Sequence, residues 1–352
     1  MRIALLGTRG IPANYGGFET FAEELSVRLV ERGHQVTVYC REKHVSRMYR
    51  GVHLRYLPSL RHKYLETIAH TALSTVDVLF RRFDVILYCN AANAIFTLWP
   101  RLIGMPTVLN VDGIERRRKK WNALARGWYL LSEWLATWCC SAVVTDAETI
   151  RQYYLERFHK QSTFIPYGAQ TGKVPRTDQV RALGLEPGKY VLYVSRLEPE
   201  NNALLVREAF EKVKTDYKLV LVGDAPYAVY YIQKVRDTSD PRIMIPGAIY
   251  GAAYHQLQSH CAVYVQATEV GGTHPALIEA MGRGALVLYL QTPESDEVAG
   301  GAAVPFGDNL VEKLQWAVDT SEEERSAWGR RASERIEKLY SWKVVTDRYE
   351  AL

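Results

Sequence analysis

The loop from Gly7 to Gly17, GTRGIPANYGG, leaves a short apolar run and feeds a helical pattern, so the free backbone N–H groups and dipole at that helix start suit an anion. Its spacing is neither GxGxxG nor GxxxxGK(S/T), which removes the dinucleotide fingerprint and the phosphate loop of ATPases. A flexible strand-to-helix turn is the plainer alternative, but four glycines and an arginine in eleven residues favour a loop that faces a ligand. In the second half, Ser195 to Asn202 reads SRLEPENN, and the guanidinium of Arg196 can fork two hydrogen bonds to a diphosphate, which a lysine cannot do with the same geometry. A surface pair with Glu198 or Glu200 is its alternative. Farther on, EVGGTHPALIEAM runs from Glu269 to Met281. There the amides of Gly271, Gly272, Thr273 and His274 would face an anion, while Glu279 can accept from sugar or ribose hydroxyls, with capping as the competing role. With Gly272 before it and Pro275 after it, His274 reads as a hydrogen-bonding partner of the same ligand and not as a base or metal ligand.

These loops need rigid elements behind them, and the chain supplies two sets. At 352 residues, against roughly 100–200 per domain, and with 47% hydrophobic residues, it is most naturally two domains with cores of ordinary size. Forty-four Lys and Arg against 39 Asp and Glu leave +5, a mild excess that suits phosphorylated ligands or an anionic membrane surface and is unlike the charge of a nucleic-acid binder. Short apolar runs rich in β-branched residues alternate with helical patterns, the signature of βα units on parallel sheets. Strands are expected at 3–6, 36–40, 53–57, 84–89, 106–111, 141–145 and 163–165, then at 190–195, 218–222, 242–245, 261–265 and 285–289. The first helix carries Phe18, Phe21, Ala22, Leu25 and Leu29 on one face and ends at Gly33. Polar, aperiodic residues after Gly168 mark a linker. The fold class is therefore α/β, with two Rossmann-like doubly wound domains facing across a cleft where the carboxyl ends of both sheets bind ligands. Their expected bounds are 1–168 and 169–335, with 336–352 a helix returning to the first domain.

The opening MRIALLGTRG has neither the apolar core nor the cleavage site of a signal peptide, and the longest apolar stretch, Trp134 to Val144, has about half the length of a membrane span. A cytoplasmic protein is expected. Cys40, Cys89, Cys139, Cys140 and Cys261 form no CxxC and read as small buried hydrophobes.

Taken together, these strings resemble the retaining GT-B glycosyltransferases of family 4 over almost the whole length, from Gly16-Gly17-Phe18-Glu19 to Ser341, Trp342, Tyr349 and Glu350. Within that family, GTRGIPxxYGGFET, VDGxE, RLEPENN and EVGGTHPxLxEAM are similar to a bacterial rhamnosyltransferase subgroup. The resemblance implies a second domain that binds the nucleotide sugar through Gly16 and Gly17 of the first domain's loop together with Arg196, Asn201, Gly223, Asp224, Gly271, Gly272, Thr273, His274 and Glu279. It also implies departures. The family sets a lysine on the donor diphosphate where Asn201 stands, and a glutamate upstream of Glu279 where Gly271 stands, so either Glu269 reaches the donor sugar by a different loop path or that contact is absent. Asp112, at the end of an expected strand where the family tends to place His or Asp, would touch the acceptor hydroxyl or the transferred sugar, unless it caps a helix. Asp112, Arg196 and Glu269 are thus the catalytic candidates.

On the acceptor side, Asp112 and Glu115 are followed by Arg116, Arg117, Arg118, Lys119, Lys120 and Trp121, a run suited to an acceptor pyrophosphate or lipid headgroups, or else a solvated basic turn. Arg55-Tyr56 and Arg61-His62-Lys63-Tyr64 form a second such stretch, or ordinary loop charges. No DxD occurs, so the expectation is metal-independent, cofactor-free transfer from a nucleotide-diphosphate sugar to a saccharide or lipid-linked saccharide, with leaving-group charge met by Arg196, amides and helix starts. Two rivals share the two-domain shape: a non-hydrolysing nucleotide-sugar epimerase, which the basic-aromatic stretches disfavour, and a non-catalytic sugar-nucleotide binding protein, which donor turnover would exclude. Localisation is expected to be cytoplasmic, peripheral on the inner membrane face, with no nucleic-acid partner.

Overall fold

A computed structural model describes residues 1–13, 16–60, 66–117, 122–225 and 227–352. Contacts divide the chain into two units, Met1–Tyr167 with Trp342–Leu352, and Gly168–Ser341.

The first unit is built from β1 (Arg2–Leu6), α1 (Gly17–Glu31), β2 (Gln35–Cys40), β3 (Met48–Tyr49), β4 (Val52–Tyr56), α2 (Glu66–Leu79), β5 (Val85–Cys89), α3 (Leu98–Leu102), β6 (Thr107–Val111), α4 (Ala123–Cys139), β7 (Ala142–Thr145), α5 (Glu148–Phe158) and β8 (Thr163–Phe164). Its strands lie in the order β3-β4-β2-β1-β5-β6-β7-β8, parallel except for the short β3, which pairs antiparallel with β4. Leu5 of β1 sits opposite Val38 on one side and Leu87 on the other. Such central strands are covered on both faces, which is why they read as unbroken apolar runs. Ala4, Leu6, Tyr88, Leu109 and Val143 form the core with Ala136, Ile150 and Tyr154 from the covering helices.

The second unit runs through α6 (Asp178–Ala182), β9 (Tyr190–Val194), α7 (Ala203–Phe210), β10 (Lys218–Val222), α8 (Val229–Arg236), β11 (Ile243–Gly247), α9 (Gly251–His260), β12 (Val263–Gln266), α10 (Pro275–Gly282), β13 (Leu286–Leu290), α11 (Pro293–Ala299), β14 (Val304–Phe306), α12 (Leu310–Asp319) and α13 (Glu322–Leu339). All six strands are parallel, in the order β11-β10-β9-β12-β13-β14. Val191, Tyr193, Leu219, Leu221, Val263 and Leu288 meet Val206, Phe210, Val235 and Leu314 in its core.

The chain then returns to the first unit as α14 (Trp342–Ala351). The boundary expected after residue 335 falls inside α13, which belongs wholly to the second unit; the crossing comes at Trp342. There α14 docks on α1 through aromatic rings, with Trp342 5.3 Å from Tyr167 and Tyr349 5.4 Å from Phe21, centroid to centroid. Arg32 adds ion pairs of 2.6 Å to both Asp347 and Glu350. Among the described residues, no helix is long and apolar enough to cross a membrane.

Candidate active site

In an open parallel sheet, ligands gather outside the carboxyl ends of the strands where the strand order reverses. In the first unit that point lies between β1 and β5, and in the second between β9 and β12. The loops singled out in the sequence fall at these points.

In the first unit the loop after β1 crosses directly over the end of β5. Gly7 has φ 92°, and a Cβ there would stand 2.3 Å from the Cys89 carbonyl oxygen, so only glycine lets the two segments lie together. Gly16 precedes α1 in an extended conformation without a side-chain cap. Glu19, in the first turn, is buried and accepts from the Arg9 amide at 3.0 Å. Burial lifts its carboxyl above the ordinary range, opposed by that amide and by the charges of Arg41 and Arg9. Glu66 holds both arginines, at 3.5 Å from Arg9 and 3.6 Å from Arg41. The Cys89 thiol at the end of β5 is pushed well up, first by burial and then by the carboxylates of Asp112 and Glu19. Asp112 is half-buried just past β6. Two residues earlier, the Asn110 amide donates to the Tyr349 hydroxyl, so α14 reaches from α1 to this edge of the sheet.

The acceptor candidates beyond Asp112 are placed differently from their sequence reading. Glu115 is buried. Arg116 donates to Glu133 at 3.2 Å and to the Tyr153 hydroxyl at 3.0 Å, with its guanidinium 5.7 Å above the Tyr153 ring. It therefore neutralises a buried carboxylate between α4 and α5, where a lone charge would be costly, and does not reach outward to an acceptor. The backbone of Arg117 closes a 3-10 turn, while its side chain and residues Arg118, Lys119, Lys120 and Trp121 lie outside the described residues, as do Arg61 to Tyr64. Arg55 is paired with Asp77 at 2.7 Å.

In the second unit the loop after β9 holds Arg196 with its side chain 41% exposed, 3.7 Å from a Glu198 carboxylate that is itself 3% exposed. The Tyr227 hydroxyl donates to the other oxygen of Glu198. Asn201 is buried and braces its own loop, donating to the Arg196 carbonyl at 2.7 Å while its carbonyl accepts from Tyr193 at 2.6 Å. It faces the loop interior and not a diphosphate. The next residue, Asn202, which the sequence reading passed over, donates to the Ala267 carbonyl at 2.9 Å and to Glu269 at 3.1 Å. The Glu269 amide in turn donates to the Glu200 carbonyl at 3.0 Å. These bonds tie the two loops that flank the reversal point into one piece.

Gly223, at the end of β10, has φ 154°, and a Cβ on it would come within 1.8 Å of the Ser195 carbonyl oxygen. Asp224 is exposed beside it and accepts from the Ala225 amide at 2.8 Å. Gly271, Gly272 and Thr273 lead to His274, the residue before α10, whose ring packs against Gly271 and which makes no side-chain cap. Pro275 fills the first helical position, where a missing N–H is harmless. One turn on, half-buried Glu279 accepts from the Tyr254 hydroxyl of α9, which accepts in turn from Gln258 at 2.8 Å. The Glu279 carboxylate is thus held in a fixed orientation from the neighbouring helix.

The second unit accordingly places the exposed guanidinium of Arg196, the Gly271–Thr273 turn ahead of a helix start and an oriented carboxylate on neighbouring strand ends. The first offers a glycine loop and two partly desolvated acids. Among the described residues, no three His, Cys, Asp or Glu side chains converge as a metal-binding group.

This two-sheet architecture is the GT-B fold, and comparison with solved structures agrees. Sucrose-phosphate synthase from Thermosynechococcus elongatus is 16% identical, with a TM-score of 0.79 over 99% of this chain and 97% of its own. The HepE protein of Anabaena, in complex with UDP and glucose, is 14% identical with a TM-score of 0.79, covering 100% and 98%. A UDP-forming trehalose-phosphate synthase from Burkholderia xenovorans, in complex with glucose-6-phosphate, is 12% identical with a TM-score of 0.78, covering 100% and 99%. No curated protein matches the sequence. The model of Glycosyltransferase Family 4 matches residues 15–173 and that of Glycosyl transferases group 1 matches residues 188–320. The chain belongs to these glycosyltransferases and is a hexosyltransferase.

Proposed function

We propose that the chain moves a hexose, rhamnose by its motifs, from a nucleotide-diphosphate sugar to a saccharide or lipid-linked saccharide in building a cell-surface polysaccharide. The anomeric configuration is retained, no metal ion or cofactor takes part, and the enzyme works in the cytoplasm at the inner face of the membrane. The observation that carries the donor side is the pair of stitched loops in the second unit, with Arg196 exposed at the end of β9 and the amides of Gly271 to His274 ahead of α10.

In this reading Arg196 and those amides meet the charge that develops on the departing diphosphate, and because they are fixed before reaction they need no reorganisation. Glu279 accepts from donor hydroxyls. Glu269, held by Asn202, is the acid beside the diphosphate loop, and Asp112 in the first unit orients the acceptor hydroxyl. The Anabaena relative in fold is described with UDP and glucose, which makes uridine nucleotides the first donors to try.

A thermal-shift screen of uridine, thymidine and guanosine diphosphates and their sugars tests this. A true donor at about a hundred times its Kd adds roughly 2.7 kcal/mol of stability. Sugar transfer from that donor should persist in EDTA; complete loss that Mg²⁺ or Mn²⁺ restores would overturn the metal-free part, and no stabilisation by any nucleotide would overturn the donor assignment.

A further inference from the structure

The helices α2, α3 and α4 connect strands that succeed one another in the same direction across the first sheet, so right-handed crossovers put them on one face. They also pack on one another through the 3-10 turn Ala91–Thr97. Arg101 of α3 donates to the carbonyls of Trp138 and Cys140 at the end of α4, the latter at 3.2 Å, which joins the ends of those two helices.

The outward side of this layer is apolar and aromatic. On α4, Leu124, Leu131, Trp134 and Trp138 follow a helical stripe, and all four are exposed, Trp138 by 66%. The rings of Trp134 and Trp138 lie 6.3 Å apart. Trp99 and Leu102 continue the surface on α3, at 55% and 68% exposed, and Phe80, just past α2, is 87% exposed. Three exposed tryptophans on one helical layer are unusual for a surface that meets only water.

The fully exposed charges on these three helices have one sign. Arg101 and Arg126 are the exposed charged side chains on α2, α3 and α4 themselves, with Arg81 and Arg82 exposed directly after α2. Glu66 is half-buried and held by Arg9 and Arg41, Asp77 is half-buried and held by Arg55 and Arg81, and Glu133 is buried against Arg116, so among the described residues the exposed carboxylate nearest these helices is Asp84, beyond the end of α2. Tryptophan rings with arginines beside them match the interface of an anionic bilayer, where the amphipathic ring sits at headgroup depth and the cation meets lipid phosphate.

The geometry points to this face as a membrane-docking surface: α2, α3 and α4 lie on the bilayer, with Trp99, Trp134 and Trp138 inserted among the headgroups. The inference rests on the reading of an enzyme that works at a membrane and names the surface that touches it, which differs from the basic run at residues 116–120.

The test is sedimentation of the full chain with vesicles of phosphatidylcholine, with and without phosphatidylglycerol. The parent should bind the anionic vesicles, with tryptophan emission shifted to the blue. Trp134→Ser with Trp138→Ser should weaken that binding at least tenfold and leave the nucleotide-induced thermal shift unchanged, which keeps folding under control. Arg101→Gln with Arg126→Gln should weaken binding to anionic vesicles only. If the parent binds and the tryptophan variant binds equally well, the docking surface is overturned while the membrane reading stands. If the parent binds neither vesicle, the membrane reading falls with it while donor binding is unaffected. A parent that is dimeric by light scattering, with the same tryptophans breaking the dimer and no vesicle binding, identifies a second copy of the chain as the occupant and also overturns the proposal.

Discussion

Arg196 stays reachable because its nearest acid, Glu198, is buried and already accepts from Tyr227, so the pair at 3.7 Å leaves the guanidinium fork open. Replacing it with Ala removes a charge-assisted pair of hydrogen bonds and should weaken donor binding by about 1.5–3 kcal/mol, on the order of ten- to a hundredfold. Titration calorimetry of the nucleotide with Arg196→Ala measures this, and unchanged affinity takes Arg196 out of the site. A second residue-scale effect concerns His70, fully buried in α2. Its pKa is lowered to about 4, first by burial and then by the charge of Arg41. The unfolded chain gains this proton as pH falls through about 6.5, whereas the folded chain does not until about 4. Stability is therefore present above the unfolded value and is lost with falling pH across that window, by up to roughly 3 kcal/mol. Urea midpoints for the parent and His70→Leu should converge or cross as the pH is lowered from about 7; parallel curves would mean that His70 does not titrate in this way.

At the scale of elements, the loops proposed to hold the donor depend on how closely strand ends approach. A side chain at Gly223 would collide with the backbone of Ser195 at 1.8 Å, and that backbone leads straight into Arg196. Gly223→Ala should cost at least about 1–3 kcal/mol through overpacking and lower donor affinity beyond its effect on folding. Calorimetry at a temperature where the variant is fully folded separates the two, and a variant that binds donor normally would show that the approach does not position Arg196. Much of this arrangement is legible in the sequence, since strands buried on both faces read as apolar runs and glycine marks the turns that follow them. The loops at Gly7, Arg196 and Gly271 stand where those runs end. What is not legible is the bonding between loops. Asn202 reaches Glu269 across 67 residues of sequence, and Tyr254 orients Glu279 from a different helix, contacts that no local pattern announces. Arg116 reads as a free cation until Glu133 is seen beneath it. Strand β14 goes unread because it is three residues long with Pro305 at its centre, and the step from α13 to α14 carries no glycine or proline to mark it.

At the scale of the whole molecule, the first unit is completed by a helix that follows the second in sequence. Trp342 is 4% exposed, packed on Tyr167 with the Arg28 guanidinium 5.7 Å from its ring. Trp342→Ala should destabilise this unit by about 3–5 kcal/mol. Differential calorimetry should then show the transition of one unit moving down while the other stays, and a uniform shift of both would contradict the separate packing of α14. The same arrangement sets an order of events during synthesis. Residues 168–341 leave the ribosome as a finished unit while the first sheet, though translated earlier, still lacks the helix that covers Phe21 and Tyr167. The part made first is thus the part finished last, and a nascent chain halted at Ser341 carries a complete second unit and a first unit whose aromatic pocket stands open.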